Sequence, residues 1–148
     1  MKKQMITLIA VAVFVMTLTV VSVHAQNAGN LSVTIPFEFS AAGQTVPAGD
    51  YYLRRSLNGA RVVMRIESND GSLSIYLPTH VAQTAEIQPE SKLVFTRYGS
   101  QLFLSQVWAV GRSTGEELNK TGRERKLQRE IAGRAGKPET ITVAAKAN

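Results

Sequence analysis

Two Asx-Gly pairs, Asn58-Gly59 and Asp70-Gly71, constrain this chain more than any other feature. Asn or Asp followed by Gly readily takes the positive φ angles of a two-residue hairpin turn, whose twist matches that of antiparallel strands. Alternating apolar and polar segments flank both pairs, at residues 51–57 and 60–67 around the first and 72–77 after the second. A two-residue loop at Asn58-Gly59 pairs Leu57 with Ala60, Leu53 with Met64 and Tyr51 with Ile66. A two-residue loop at Asp70-Gly71 pairs Ile66 with Ile75 and Met64 with Leu77. All these residues fall on one face, and a one-residue slip would move every one to the other face. The two turns therefore predict a three-stranded meander over residues 51–77. Its opposite face would carry Tyr52, Arg65 and Tyr76 in one row, with Arg54 and Arg61 beside it.

The neighbouring segments also read as β-structure. Leu31-Ser-Val-Thr-Ile35 alternates, Pro36 interrupts it as an edge or a bulge would require, and Phe37-Glu-Phe39 alternates again. Val46-Pro-Ala-Gly-Asp50 has the composition of a turn. Residues 81–87 form a short loosely alternating stretch between two prolines. Residues 92–98 and 102–110 form a hairpin around Gly99-Ser100, with Phe95 opposite Leu104 and Arg97 opposite Leu102. So many short strands predict an all-β fold, a small antiparallel sandwich or barrel over about residues 30–110, followed by a short C-terminal helix and a flexible tail.

The two ends of the chain differ from this middle. Lys2 and Lys3 precede a nearly unbroken apolar run, and Val23-His24-Ala25 then fits a small-residue cleavage site. Residues 1–25 are thus expected to be a signal peptide, with export to the periplasm, cell surface or medium. Residues 26–111 hold six cations and six carboxylates, together with all nine aromatics that follow the leader. Residues 112–148 hold nine cations, five carboxylates and no aromatic. The expected organisation is a neutral β-domain at 26–111 and a basic tail at 112–148. In the tail, Thr121-Gly-Arg-Glu124 matches the capping box of a helix N-terminus. A helix over about 122–132 follows from it, with Leu127 and Ile131 as its narrow apolar stripe. Residues 136–148 are expected to be disordered.

The composition excludes several chemistries. With no Cys, the chain has no thiol nucleophile, disulfide, Cys-ligated metal or c-type haem attachment. His80 is the one imidazole beyond the leader, an exposed loop residue by its context, and too few for a metal site that wants three or four convergent ligands. No cofactor and no metal are expected. Lys120-Thr121-Gly122 matches the K-T-G triplet of penicillin-recognising enzymes, but the S-x-x-K and S-D-N elements are missing, so the match is chance. Paired carboxylates could hydrolyse glycosides, and Glu38, Asp50, Glu67, Asp70, Glu86 and Glu90 are the core candidates. Asp50 and Asp70 sit in turn sequences, where Asp is a local structural choice.

Ile35-Pro-Phe-Glu-Phe39, Val46-Pro-Ala-Gly-Asp-Tyr51, Leu93-Val-Phe-Thr-Arg-Tyr-Gly99, Phe103-Leu-Ser-Gln-Val-Trp108 and Gly115-Glu-Glu-Leu118 together cover much of the chain. In these segments the chain resembles a group of small exported bacterial β-proteins. The resemblance implies export and a bacterial source, and it transfers no catalytic residue.

The expected function is non-enzymatic. In this reading the β-domain packs or binds, and Lys120, Arg123, Arg125, Lys126 and Arg129 attach the protein electrostatically to an anionic envelope component or a protein partner. Nucleic acid is not expected as a partner, because export separates the chain from it and the tail offers no aromatic for stacking. No transmembrane span is expected once the leader is removed. The alternative is a small-molecule or glycan-binding module that uses the Tyr52, Arg54, Arg61, Arg65 and Tyr76 face or a barrel mouth.

Overall fold

The computed structural model describes residues 30–58, 61–134 and 136–148. The expected signal peptide at 1–25 lies outside these residues, as does the Gly59-Ala60 pair. Among the described residues the chain forms β1 (Leu31–Ile35), β2 (Phe39–Ala41), β3 (Gln44–Val46), β4 (Gly49–Asn58), β5 (Arg61–Ser68), β6 (Ser74–Leu77), β7 (Thr79–Gln83), β8 (Ser91–Tyr98), β9 (Gln101–Trp108), β10 (Thr114–Leu118), α1 (Gly122–Gly133) and β11 (Glu139–Ala147). The fold is all-β with one short helix, as expected.

The predicted meander is present as β4–β5–β6. The Asp70-Gly71 hairpin has the expected register, with Ile66 opposite Ile75 and Met64 opposite Leu77. The β4–β5 register is displaced by two residues from the expected one. Asn58 pairs with Arg61, so Leu53 faces Ile66 instead of Met64, and Tyr51 faces Ser68. A displacement of two keeps every side chain on its expected face, because strand side chains alternate with period two. It brings Leu53 against Ile66, both fully buried. The β8–β9 hairpin follows the sequence reading, with Phe95 opposite Leu104 and Arg97 opposite Leu102. Beyond Phe95 the register shifts, because Val94 faces Gln106 and Ser105 is the extra residue of a β-bulge.

The strands form one curled sheet in the order β3-β2-β9-β8-β11-β1-β4-β5-β6, with β10 paired to both β7 and β9. Pro78 alone separates β6 from β7. Having no N–H to give a ladder, it marks the place where one stretch of chain changes partners, from β5 to β10. Because β10 also pairs with β9, this bent stretch links the β6 end of the curl to β9. The inside is filled by side chains. Ile35, Leu53, Ile66, Leu93 and Phe95 are fully buried there. Phe39 meets Phe95 and Tyr51 edge-on, at ring-centroid distances of 5.2 and 5.9 Å.

The expectation of a loose tail is corrected. Residues 114–118 and 139–147 are strands of the sheet, and β11 lies in its middle, between β8 and β1. Its alternation explains this placement. Ile141, Val143 and Ala145 pack against the core, while Thr140, Thr142 and Ala144 face outward. The division at residue 111 therefore falls within one hydrogen-bonded sheet.

Two contacts fasten β10. Gly115 lies under the Trp108 ring so closely that a Cβ there would sit 2.6 Å from ring carbon and 2.7 Å from the Val107 carbonyl oxygen. Glu116 is buried, accepts a hydrogen bond from Arg55 Nε of β4 at 3.1 Å and another from Thr79 at 3.3 Å, and so joins opposite parts of the curl.

Candidate functional site

Three outward-facing features hold the chemistry. The first is the tyrosine and arginine face of the meander. The two-residue displacement of β4 separates the expected row. Tyr52 stands opposite Glu67, and the actual row is Arg54, Arg65 and Tyr76. Two guanidinium groups directly across a ladder repel each other. Glu67 relieves this, lying 2.8 Å from Arg54 Nε and 2.8 Å from Arg65 Nη2. Arg65 also sits over the Tyr76 ring, 5.8 Å from its centroid, while Tyr76 remains 66% exposed. The guanidinium groups of this row are thus already engaged. The Arg61 side chain lies outside the described residues. Tyr52 borders a separate open groove of about 340 Å³ with Thr34, Asp50, Asn69 and Lys146.

The second feature is α1. Its capping box forms as read, since the Thr121 hydroxyl accepts from the Glu124 backbone N–H at 3.2 Å. The K-T-G match thus contains a helix cap. Glu124 is buried, and Leu127 and Ile131 are half-buried on the same stripe. Helical spacing puts Arg125, Lys126 and Arg129 on the opposite, solvent-facing side, with Arg123 on a flank beside the β2–β3 hairpin. Among the described residues, no carboxylate forms an ion pair with Lys120, Arg123, Arg125, Lys126 or Arg129. The first turn of a helix favours anions, so cations there cost about 0.3–1 kcal/mol each at low salt. Arg123 and Arg125, in that first turn, therefore gain nothing from the helix dipole.

The third feature is a cleft of about 210 Å³ between the start of α1 and the outer face of the sheet. β8 contributes Val94 and Thr96, β9 contributes Ser105 and Gln106, and β11 contributes Thr140. Glu117 and Leu118 of β10 close one side, and Lys120 and Glu124 form the roof. Successive strand residues normally point to opposite faces. Ser105 and Gln106 both line the cleft because the bulge falls between them and Leu104. The Thr96 and Ser105 hydroxyls meet at 2.5 Å, and Gln106 Oε1 accepts from Trp108 Nε1 at 3.1 Å. That leaves the Gln106 amide N–H groups free to point outward. Burial raises the Glu124 carboxyl above its ordinary value, partly offset by Lys120 and by the Thr121 backbone. Burial likewise raises the Tyr98 phenol nearby, with Glu124 adding to it.

The remaining candidates are placed as follows. His80 is exposed, but on β7 instead of a loop, with Nδ1 3.0 Å from Asn119 Oδ1 and Nε2 3.7 Å from Glu117. Asp50 and Asp70 line one shallow groove. Asp70 accepts hydrogen bonds from Ser68 and Ser72, which hold its carboxyl at about 2, the opposite of what a general acid needs. The space beside Arg55 and Arg112, between β4 and β10, is only about 20 Å³. No helix of the described residues is long and apolar enough to cross a membrane. The cleft escaped the sequence reading. The capping box located Glu124 but not its burial, and a bulge at Ser105 leaves no mark in the alternation. No protein-family model, no curated protein and no solved structure matches the chain, so the reading of these surfaces rests on their geometry and chemistry.

Proposed function

We propose that the chain is an exported, non-catalytic binding protein whose helix α1 attaches it to a polyanionic component of the cell envelope. One observation carries the reading. Arg123, Arg125, Lys126 and Arg129 stand exposed within two turns of a helix braced on a folded sheet, and no carboxylate among the described residues forms an ion pair with them. A fixed row of cations meets a polyanion without the entropic cost of ordering a loose tail. The face of Arg54, Arg65 and Tyr76 is the lesser alternative, because Glu67 already occupies both guanidinium groups.

The test compares the protein with its Arg123→Gln, Arg125→Gln, Lys126→Gln, Arg129→Gln variant in co-sedimentation with isolated cell envelopes. Exposed ionic attachment weakens as the Debye length falls from about 10 Å at 0.1 M salt to about 3 Å at 1 M. The parent should sediment at low salt and be released at high salt, and the variant should stay in the supernatant throughout. Equal sedimentation of both would overturn the reading.

A further inference from the structure

The cleft beneath α1 has the makings of a site that the helix charge alone does not explain. Its lining comes from four strands and the helix start, which are rigid supports. Its volume of about 210 Å³ is below the roughly 300–1,000 Å³ of clefts that take drug-sized ligands, so its occupant is one small unit. The polar groups are of mixed kind. Thr140 is a hydroxyl that both donates and accepts, Thr96 and Ser105 bond each other and offer their remaining lone pairs, Gln106 offers amide N–H groups, and Glu117 is a strong acceptor. Val94 and Leu118 add an apolar patch. Donors and acceptors around a small apolar patch match a pyranose ring, which has hydroxyls at its rim and C–H groups on its face. Two carboxyls against one ammonium make the cleft itself unsuited to an acidic sugar.

The cleft is continuous with the cations. Lys120 lines it and donates to Gln128 Oε1 at 3.1 Å. Arg125 Nη1 donates to the Lys120 carbonyl at 2.7 Å, and Arg129 Nε reaches the Arg125 carbonyl at 3.4 Å. Lys120, Arg125 and Arg129 thus form a track from the rim of the cleft along the helix. We infer that the cleft holds one uncharged hexose unit of an acidic glycan, whose anionic neighbours lie along this track. The inference rests on the reading that α1 engages a polyanion, and it narrows that polyanion to a carbohydrate.

Three probes separate the two ideas. They are a hyaluronan oligosaccharide, in which N-acetylglucosamine alternates with a carboxylate sugar, an uncharged chito-oligosaccharide, and polyphosphate. Binding is followed by calorimetry and by amide shift mapping on the intact exported chain. Hyaluronan should bind at least tenfold more tightly than polyphosphate of equal charge. Both sugars should shift amides of β8, β9 and β10. Thr140→Val with Glu117→Gln changes only groups outside the core and should lower hyaluronan affinity about tenfold while leaving polyphosphate binding as it was. The four-cation variant should lose both polyanions and keep the weak chito-oligosaccharide shifts. If polyphosphate equals hyaluronan, or if the cleft variant binds hyaluronan undiminished, the glycan inference fails while the polyanion reading stands. If neither polyanion binds the parent, the polyanion reading fails, and the inference with it.

Discussion

Gly115 shows how one residue can be fixed by space alone. Its backbone is ordinary extended strand, so its lack of a Cβ matters only for what lies above it. The Trp108 ring and the Val107 carbonyl both stand where a methyl group would go. The carbonyl belongs to the β9 ladder and cannot yield without breaking the pairing, and the ring is buried and tied to Gln106. Gly115→Ala should therefore lower stability by about 1–3 kcal/mol, the usual cost of overpacking. Denaturant unfolding checks this, with a lower midpoint and an unchanged slope as the expected result. An unchanged midpoint would mean that Trp108 swings aside freely. The same close approach joins the segment that ends at Trp108 to the one that begins at Gly115. The pairing of those two residues across β9 and β10 was beyond the sequence, because nothing local links them.

At the level of elements, what the chain shows locally was legible and what depends on distant contacts was not. Asp70-Gly71 set its register correctly because Ile66, Ile75, Met64 and Leu77 all had to reach the core. Around Asn58 the same argument fixed the face but not the register, since a displacement of two satisfies the alternation equally well. Arg65 thereby moved from Tyr52 to Arg54, and with it half of the expected site. In β11, Thr140, Ile141, Thr142 and Val143 are β-branched and alternate, which is a strand signal. Its position at the chain end obscured it. The helix start was fully legible, and it yields a test. Glu124 serves the capping box while being buried, and burial raises its carboxyl above the ordinary value. A carboxyl raised in the folded state stabilises most when protonated. That contribution is fully present below the ordinary value of 4.5 and is lost as pH rises through the raised one. Glu124→Gln keeps the capping acceptor without the buried charge. Above the raised value it should match or exceed the parent in Tm, and the Tm of the parent relative to this variant should fall as pH rises from 4 to 7. Glu124→Ala keeps the Thr121 hydroxyl on the backbone N–H of residue 124 and loses only the side-chain half of the box, so its cost should be greatest at low pH and shrink as pH rises through the raised value. Parallel Tm profiles for parent and Gln variant would show that Glu124 is not desolvated.

For the whole molecule, the decisive fact is that the basic segment is woven into the fold it was expected to trail behind. β11 is bonded to β8 along most of its length and to β1 at its end, and β10 is held between β7 and β9. The charge asymmetry along the sequence therefore becomes an asymmetry on one body, with α1 held outside the sheet by the strands on either side of it. Truncation after Gly111 would take away the strand between β8 and β1 and the one that connects the curl at β7 and β9. It would uncover Leu93, Phe95 and Val33, and it would leave Arg55 without Glu116. Loss of a central strand leaves open ladders on both neighbours and no surface to pack against them. The truncated chain should show no cooperative thermal transition and should bind a hydrophobic dye. The four-cation helix variant, with every strand intact, should unfold cooperatively within a few degrees of the parent. Attachment lost in both would then have two distinguishable causes, absence of the fold in the first and absence of the charge in the second. A truncated chain that still unfolds cooperatively, with a denaturant slope scaled only to its shorter length, would show that 26–111 is a folding unit and that β11 merely docks upon it.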